Sequence, residues 1–379
     1  MNLAIKDIRH NMMRFVITLF GVGLLITASV GMNGLYRGIV ADATLLLDEI
    51  GAGYWVVQGG RAGPFAEASV VSSTLDRRVA GLDGVARVRR FIQSDQQIFH
   101  DGIQRRASVV GLDYPVDTGD WVMLTRGRPL AQGRHEVIAD ESLGFAIGDY
   151  LELSRDAFEV VGLTEGMTSA MGDGLVFVSI NDALEIARQK ANEEIRLGRA
   201  VAGPRDIRSE SKIAAILVDL EPGADETSLT RAVMSWGDAN ILSTVDQRDL
   251  FLNQRLWRLR VQILAFTGVL LAVMTIVISL IVYTMTLEKL PQISLLKLIG
   301  ARDRHIYGMI VQQAMIIGVG GYLVGIALAN LVFPLFPRRV LLEPSDLALM
   351  LGAVLLIGMV AAQLGIRRAM QTKPQDVLS

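Results

Sequence analysis

The long apolar runs of this chain are unevenly spaced, and that spacing limits the fold more than any single motif. One run covers about Phe15 to Leu35. A polar stretch of more than two hundred residues follows. Three further runs then lie close together, at Val261–Tyr283, Met309–Phe333 and Leu347–Ile366. Each can cross a hydrocarbon core of about 30 Å as a helix, which takes roughly 20 residues. No Asp, Glu, Lys or Arg falls inside these cores. Proton- and ion-coupled transporters keep such groups there, because they carry the coupling. The chain also lacks the G-x-x-x-x-G-K-[ST] phosphate loop, so it does not bind ATP in that manner itself.

About half of the residues are apolar (51%), while 20% are charged and avoid the four runs. The chain therefore combines a membrane part with a true soluble part. Its 37 basic and 39 acidic residues nearly cancel, and no basic block suggests nucleic acid as a partner. The absence of cysteine excludes a disulfide framework, a thiolate metal site and a Cys nucleophile. The first run reads as an uncleaved helix. It is too long for a signal-peptide core, and Asn33-Gly34-Leu35-Tyr36 lacks a small-x-small cleavage pattern.

Basic residues set the expected topology. Lys6, Arg9 and Arg14 precede the first span; Lys289, Lys297, Arg302 and Arg304 separate the second and third; Arg367, Arg368 and Lys373 follow the fourth. The positive-inside rule then places both termini and the 2–3 loop in the cytoplasm and the large insert outside. Arginines on the other side (Arg37, Arg248, Arg255, Arg258, Arg260, Arg338, Arg339) narrow that margin. Four of them fall in Asp246–Arg260, which reads as a helical stalk running straight into the second span. Before the first span, Ile5, Ile8, Met12 and Phe15 oppose Lys6, Arg9, His10 and Arg14. That pattern fits an interfacial amphipathic helix; a plain cytoplasmic extension fits the same residues.

The insert alternates short strands and helices. Strands are expected at Tyr54–Val57, Val85–Ile92, Arg106–Val110, Tyr150–Leu153, Phe158–Leu163, Leu175–Ile180, Lys212–Asp219 and Ile241–Val245. Helices are expected at Ser72–Ala80, from Asn181 to Gly198, and at Thr227–Trp236, with Ala200–Ser211 as a loop. The result is an α+β domain of two lobes, the middle strands forming the second. It shows no H-E-x-x-H, no G-x-S-x-G and no paired metal-ligand spacing. His100 and His135 stand in unrelated contexts. The doublets Asp140-Glu141 and Glu193-Glu194 read as solvated surface, and Gly59-Gly60 with Gly63-Pro64 as a turn.

Small residues recur at four-residue spacing in the spans: Gly23, Thr27 and Gly31 in the first, Gly321, Gly325 and Ala329 in the third, Ala361 and Gly365 in the fourth. Such spacing lets helix backbones approach closely in lipid. It predicts a packed bundle, or a seam between two copies. Between the second and third spans, Pro291 can open a helix and Gly300 close one. That gives about nine residues with Ile293, Leu296 and Ile299 apolar and Lys297 exposed.

This loop resembles the signature of FtsX/MacB-type (type VII) ABC transporter permeases. Glu288 and Lys289 match an acidic-basic pair; Ile293, Leu295, Lys297, Gly300 and Ala301 match the helix after it. The opening Ala4–Asn11, the ending Arg368–Leu378, and Gly127-Arg128-Pro129, Ile147–Leu153 and Phe158–Leu163 in the insert resemble the same family. Tyr54–Gly60 with Gly63-Pro64-Phe65 is most similar to its DevC-like branch. Pro291, Gln292 and Ser294 depart from the usual loop residues, and no ATPase domain is fused.

The expected architecture is an α-helical membrane protein with four transmembrane helices in a 1 + 3 order. An α+β extracytoplasmic domain of two lobes is inserted between helices 1 and 2. The expected order is 1–14 interfacial helix, 15–50 first span and stalk, 51–245 MacB-like core domain, and 246–284 stalk and second span. Then come 285–308 coupling loop, 309–336 third span, 337–346 short external loop, 347–366 fourth span and 367–379 tail. The resemblance implies a non-catalytic permease subunit that works by mechanotransmission. It implies two copies of an ABC ATPase holding ATP and Mg, and a second copy of this chain or a related permease. Membrane lipid is a further partner, and a periplasmic adaptor protein a further candidate. Glu288, Lys289, Ile293, Leu296, Lys297 and Gly300 would meet the ATPase. An FtsX-like signalling complex that activates an extracytoplasmic hydrolase is the alternative. A membrane-anchored enzyme would need a catalytic set that the sequence does not show.

Overall fold

The computed structural model describes residues 12–100, 102–190, 212–299, 302–336 and 338–371. The chain forms two units, one of residues 1–38 with 259–379 and one of residues 39–258. The expected opening helix is described only from Met12; the end of the helix begun near Asn181, the loop at 200–211 and the family-like ending from residue 372 lie outside the described residues.

Four helices are long and apolar enough to cross a membrane. Helix α1 (Met12–Glu49) runs unbroken for 38 residues. It contains no proline, so each amide past the first turn finds its carbonyl. Later in the chain, α6 (Trp257–Glu288), α7 (Leu290–Leu298), α8 (Asp303–Val332) and α9 (Pro344–Gln371) complete the span-bearing unit. Their core is one cluster. Val22, Ile26 and Val30 of α1 join Met274, Ile278 and Val282 of α6, Ile310, Ala314 and Ile317 of α8, and Val354, Ile357 and Ala361 of α9.

The inserted unit is organised by one long strand. Strand β3 (Val85–His100) has 16 residues. Its first half pairs antiparallel with β11 (Ala215–Leu220), with Val88 opposite Val218. Its second half pairs antiparallel with β4 (Ile103–Leu112), with Gln96 opposite Ala107. The strand thus belongs to both lobes. On one side the sheet continues to β1 (Tyr54–Gln58) and β12 (Ala239–Ser243). On the other it passes to β9 (Gly174–Ser179), β6 (Glu136–Asp140), β8 (Asp156–Thr164) and β5 (Leu124–Gly127), with β7 (Tyr150–Leu153) also paired to β8. A two-stranded ribbon joins β2 (Val71–Ser72) to β10 (Lys212–Ile213).

Each lobe has its own core on one face. Val56, Val79, Ile216, Val218 and Val233 fill the first, under α2 (Leu75–Ala80) and α4 (Glu226–Met234). Ile98, Val109, Val137, Leu151, Phe158 and Val178 fill the second, where helix α3 covers the described residues 180–190. A third core joins the lobes: Trp55, Phe91 and Leu217 pack with Val110, Ile138, Leu175 and Phe177, and with Leu46, Leu47 and Ile50 at the end of α1. Rings of Trp55 and Phe91 meet edge to face, 5.3 Å apart.

Several sequence expectations need correction. The strand expected to stop at Ile92 continues to His100, because backbone pairing with β4 carries the polar run Gln93–Gln97. Strands β5 and β6 are unexpected. β6 holds only three apolar residues between acids, yet it is buried throughout. Asp140 is not solvated surface: it is 1% exposed. Its carboxylate caps the 3-10 turn Glu141–Leu143 and accepts from the Met167 amide at 2.8 Å. The strand expected over Lys212–Asp219 splits at Ala214, whose amide turns to Phe91 O. The stalk before the second span is not straight either. Helix α5 (Thr244–Leu250) gives way to a π-helical turn at Phe251–Arg255 before α6 begins.

The family-like Gly127-Arg128-Pro129 step has a local physical cause. Gly127 sits at φ +88°, and a Cβ there would fall 2.3 Å from Val161 O. Arg128 then bonds Glu136 at 2.6 Å, and the Glu136 carboxylate also accepts from the Ala131 and Gln132 amides at 2.8 Å. Burial pushes this carboxyl up, but Arg128 and the two amides outweigh it, so it titrates below its ordinary 4.5. A lowered folded value adds stability that is present above pH 4.5 and is lost as pH falls through the folded value. The variant Glu136→Gln should unfold more easily at neutral pH by about 1–3 kcal/mol. It should also lose part of the wild-type decline below pH 4.5, read by denaturant unfolding across pH.

Candidate functional site

The short loop between the second and third spans is a helix, as its Pro291 and spacing require. Helix α7 has nine residues, Leu290–Leu298. Its Ile293 amide donates to Lys289 O at 2.9 Å, and the Lys289 amide to Thr286 O at 3.1 Å, so α7 is tied back to the end of α6. Ile293 is 2% exposed and packs in the same core as Val282, Ile306 and Ile310. Lys289 and Ser294 are also buried. Ile299 departs from the expected apolar face, being 76% exposed, and Leu295 is 58% exposed. The side chains of Leu296 and Lys297, and Gly300 as a whole, lie outside the described residues.

The small residues of the first and third spans face each other within one chain. A Cβ on Gly23 would lie 2.8 Å from Val324 Cγ1 and 3.2 Å from Gly325 N. One on Gly325 would lie 2.9 Å from Gly23 O, and one on Gly321 would meet Val22 at 2.5 Å. Between them the Thr27 hydroxyl lies 2.9 Å from both Gly23 O and Gly325 O, which spreads its one proton between its own helix and its neighbour. Ala329 is fully buried, and the missing Cβ of Gly31 makes room for the Phe333 ring at 3.0 Å. In the fourth span Ala361 is fully buried in the same core.

At the far end of the bundle, α1 holds the loop between the third and fourth spans. Leu341 N donates to Gly34 O at 3.0 Å. Gly38 passes so near Arg339 O that any Cβ would collide with it, at 1.8 Å. Arg37 donates to Asp346 Oδ1 at 2.9 Å and pairs with Glu343 at 2.6 Å. Sequence reading counted Arg37 only as a charge on the outer side; its acidic partners lie 309 residues away in the case of Asp346.

The inserted unit is tied where the chain enters and leaves it. Arg89 of β3 is 2% exposed. Its guanidinium reaches Asp117 at 3.0 Å, Asp219 at 3.4 Å and Ile50 O at 3.3 Å, just past the end of α1. Asp117 in turn accepts from Trp121 Nε1 and Gly119 N. On the exit side, Trp55 Nε1 donates to Thr244 Oγ1 at 3.0 Å, and Thr244 also bonds the Ala52 and Gly53 carbonyls. Ser243 and Asp246 form a capping box that starts α5 at this point. Arg248 and Asp48 pair at 3.3 Å between α5 and α1. Arg89 and Asp117 did not stand out in the sequence, because Arg89 sits in the run Arg87–Arg90 and only burial separates it from its neighbours.

Among the described residues the histidines do not form a site. His100 stacks on Phe145 with ring centroids 4.0 Å apart, and His135 lies against Phe158. Among the described residues no group of three or more His, Asp or Glu side chains could hold a metal ion.

Three substitutions check these contacts on the full-length protein. Gly325→Val should cost about 1–3 kcal/mol by overpacking the α1–α8 seam, whereas Thr27→Val should cost only about 0.6 kcal/mol. Arg89→Leu leaves the buried Asp117 carboxylate without its cation, while Asp219 keeps Arg87, and should cost roughly 3–5 kcal/mol. Thermal unfolding reads all three, and for Arg89→Leu tryptophan fluorescence reports directly, since Trp121 Nε1 donates to Asp117, the partner of Arg89.

Comparison with known proteins follows this division of the chain. The family model of the MacB-like periplasmic core domain matches residues 15–235, and that of the FtsX-like permease C-terminal matches residues 264–374. Two uncharacterised ABC transporter permeases of Mycobacterium tuberculosis H37Rv are 24% and 23% identical over 372 residues, 98% of this chain and 97% of theirs. Among solved structures, the periplasmic region of MacB from Actinobacillus actinomycetemcomitans is 15% identical. The match covers 51% of this chain and 89% of that one, with a TM-score of 0.36. The extracellular domain of the transporter YknZ from Gram-positive bacteria is 13% identical, with 50% and 99% covered and a TM-score of 0.34. The chain belongs to the ABC transporter permeases of the MacB/FtsX type, with four membrane helices and a MacB-like periplasmic core domain between the first and the rest.

Proposed function

We propose that this permease is the membrane subunit through which a separate ABC ATPase drives motion of the periplasmic domain, by mechanotransmission. ATP and Mg belong to that partner, in two copies beneath two copies of this chain. Both termini and helix α7 face the cytoplasm in this reading. The observation that carries it is the two-sided character of α7. Ile293 is locked into the span core, while Leu295 and Ile299 stand exposed on a loop too short to cover them. A soluble partner seated on Leu295 and Ile299 would push the whole nine-residue helix, and Ile293 would pass that push to α6 and α8. The lack of charged groups in the span cores favours a moved scaffold over an ion path. The unbroken α1 and the tied root of the insert suit a lever.

Co-purification with the ATPase tests this directly. Leu295→Asp with Ile299→Asp should release the ATPase from detergent-purified complexes. Replacing Glu288 and Lys297 together by alanine should leave the complex assembled. It should reduce the response of ATP hydrolysis to the permease by on the order of tenfold. An aspartate double variant that still holds the ATPase as the wild type does would sink the docking assignment. Normal coupling in the alanine pair would remove those two residues from the path.

A further inference from the structure

Helix α6 has 32 residues, more than the roughly 20 that a bilayer crossing needs. Its apolar run begins at Val261, so Trp257–Arg260 adds one turn at the end where the chain leaves the insert. At roughly 100° per residue, burial divides this helix into two sides. Ile263 and Met274 are buried on one side, with Thr267 and Leu270 half-buried between them. On the other side Trp257 and Leu264 are 55% and 61% exposed, and Val261 between them is exposed as well. Gly268 continues that stripe, and a Cβ there would meet nothing within 4 Å. Arg258 and Arg260 are exposed and flank the stripe, one on each side of Trp257.

Charge decides what covers this stripe. Among the described residues, neither Arg258 nor Arg260 has a hydrogen bond or ion pair. A second copy packed here by two-fold symmetry would set the arginines against their own counterparts, and like charges brought together cost several kcal/mol. The missing side chain of Gly268 is not needed for packing within the chain, yet glycine inside a helix costs about 1 kcal/mol against alanine. Tryptophan favours the level of the headgroups, and long arginine side chains reach up to them from the apolar boundary. Cations above, an aromatic ring at the boundary and an open apolar stripe below match an amphiphile with an anionic head. We propose that this face of α6 binds a membrane phospholipid with an anionic headgroup. Arg258 and Arg260 approach the phosphate from either flank, and an acyl chain lies along Val261 and Leu264 into the space left at Gly268. This does not rest on the ATPase-docking reading, and the test below contains no ATPase.

The full-length permease is reconstituted in nanodiscs of phosphatidylcholine with a minor fraction of phosphatidylglycerol, and bound lipid and copy number are read by native mass spectrometry. The wild type should retain phosphatidylglycerol in preference to phosphatidylcholine. Each guanidinium near a phosphate contributes roughly a fivefold gain, so Arg258→Gln with Arg260→Gln should lower that preference by roughly 25-fold. Arg258→Lys with Arg260→Lys keeps the charges and should stay within about fivefold of wild type, which separates loss of binding from loss of fold. Gly268→Leu fills the acyl space and should weaken retention of both lipids. A glutamine pair that retains phosphatidylglycerol like the wild type overturns the proposal. So does a Gly268→Leu variant that keeps both lipids but splits a dimer into single chains, because the face would then be a seam between copies. Soluble glycerol 3-phosphate displacing the lipid at equal concentration overturns it too, since the apolar stripe would then contribute nothing.

Discussion

A buried guanidinium holds the inserted domain together. Moving an ion of this size out of water costs several kcal/mol even after relaxation, and attraction to a partner returns that only with good geometry. Arg89 offsets part of it through two carboxylates and a backbone carbonyl at 3.0–3.4 Å, with its Nε left without a partner. Its position gives those bonds their structural reach. It stands on the strand shared by both lobes; Asp219 lies in the first, Asp117 follows the strands that begin the second, and Ile50 ends the first stalk. Any rotation of one lobe against the other, or of the stalk end against either, strips a bond from a charge that cannot reach water. The shared core of Trp55, Phe91, Ile138 and Phe177 resists the same motion by packing. The domain therefore moves as one body at this joint or pays a large penalty.

The span-bearing unit solves the corresponding problem without charge. In lipid, burial of apolar surface gives helices no reason to associate, so contact depends on fit and on hydrogen bonds. Gly23 and Gly325 remove the side chains that would separate two backbones, and Thr27 adds a bond between them. Where the seam reaches the membrane boundary, water competes with such weak bonds and a stronger device appears. There Arg37 takes Glu343 and Asp346, and Gly34 accepts the Leu341 amide. The first span is thereby joined to the third along its length and to the start of the fourth at its end.

Much of this was legible in the sequence, for reasons that also mark the limits. Spans are set by composition over twenty residues, and no tertiary context changes that. Strands such as Tyr150–Leu153 alternate because one face is wet, and the alternation shows. The strand Glu136–Asp140 is buried on both faces, and an apolar run of three between acids carries no period. The outer half of β3 is polar, and only its partner makes it a strand. The small-residue faces of the first and third spans were visible as faces, but spacing cannot say whether the partner is another copy or another span. The loop helix was visible from Pro291, yet its buried side turns on Ile293 and not on Ile299, because α7 ends at Leu298 and Ile299 lies beyond it. Arg37 and Arg89 were invisible for one reason: their partners are distant in the chain, and a charged residue looks solvated until the fold encloses it.

The two connections to the inserted domain differ in a way that matters for any lever. The chain enters through 38 residues of uninterrupted helix. It leaves through seven residues of helix, a π-helical turn of five and then a new helix. A π-turn widens the helix and leaves part of its hydrogen bonding out of register, so it bends more readily than the α-helix on either side. The tie between Arg248 and Asp48 couples the short helix to the stalk, and the π-turn after it is held to the same unit by the buried Phe251 and by Arg255, which donates to Phe65 O at 3.4 Å. Within the inserted unit the stiff entry ends at Ile50, and Arg89 ties that end to Asp219 in one lobe and to Asp117 beside the other.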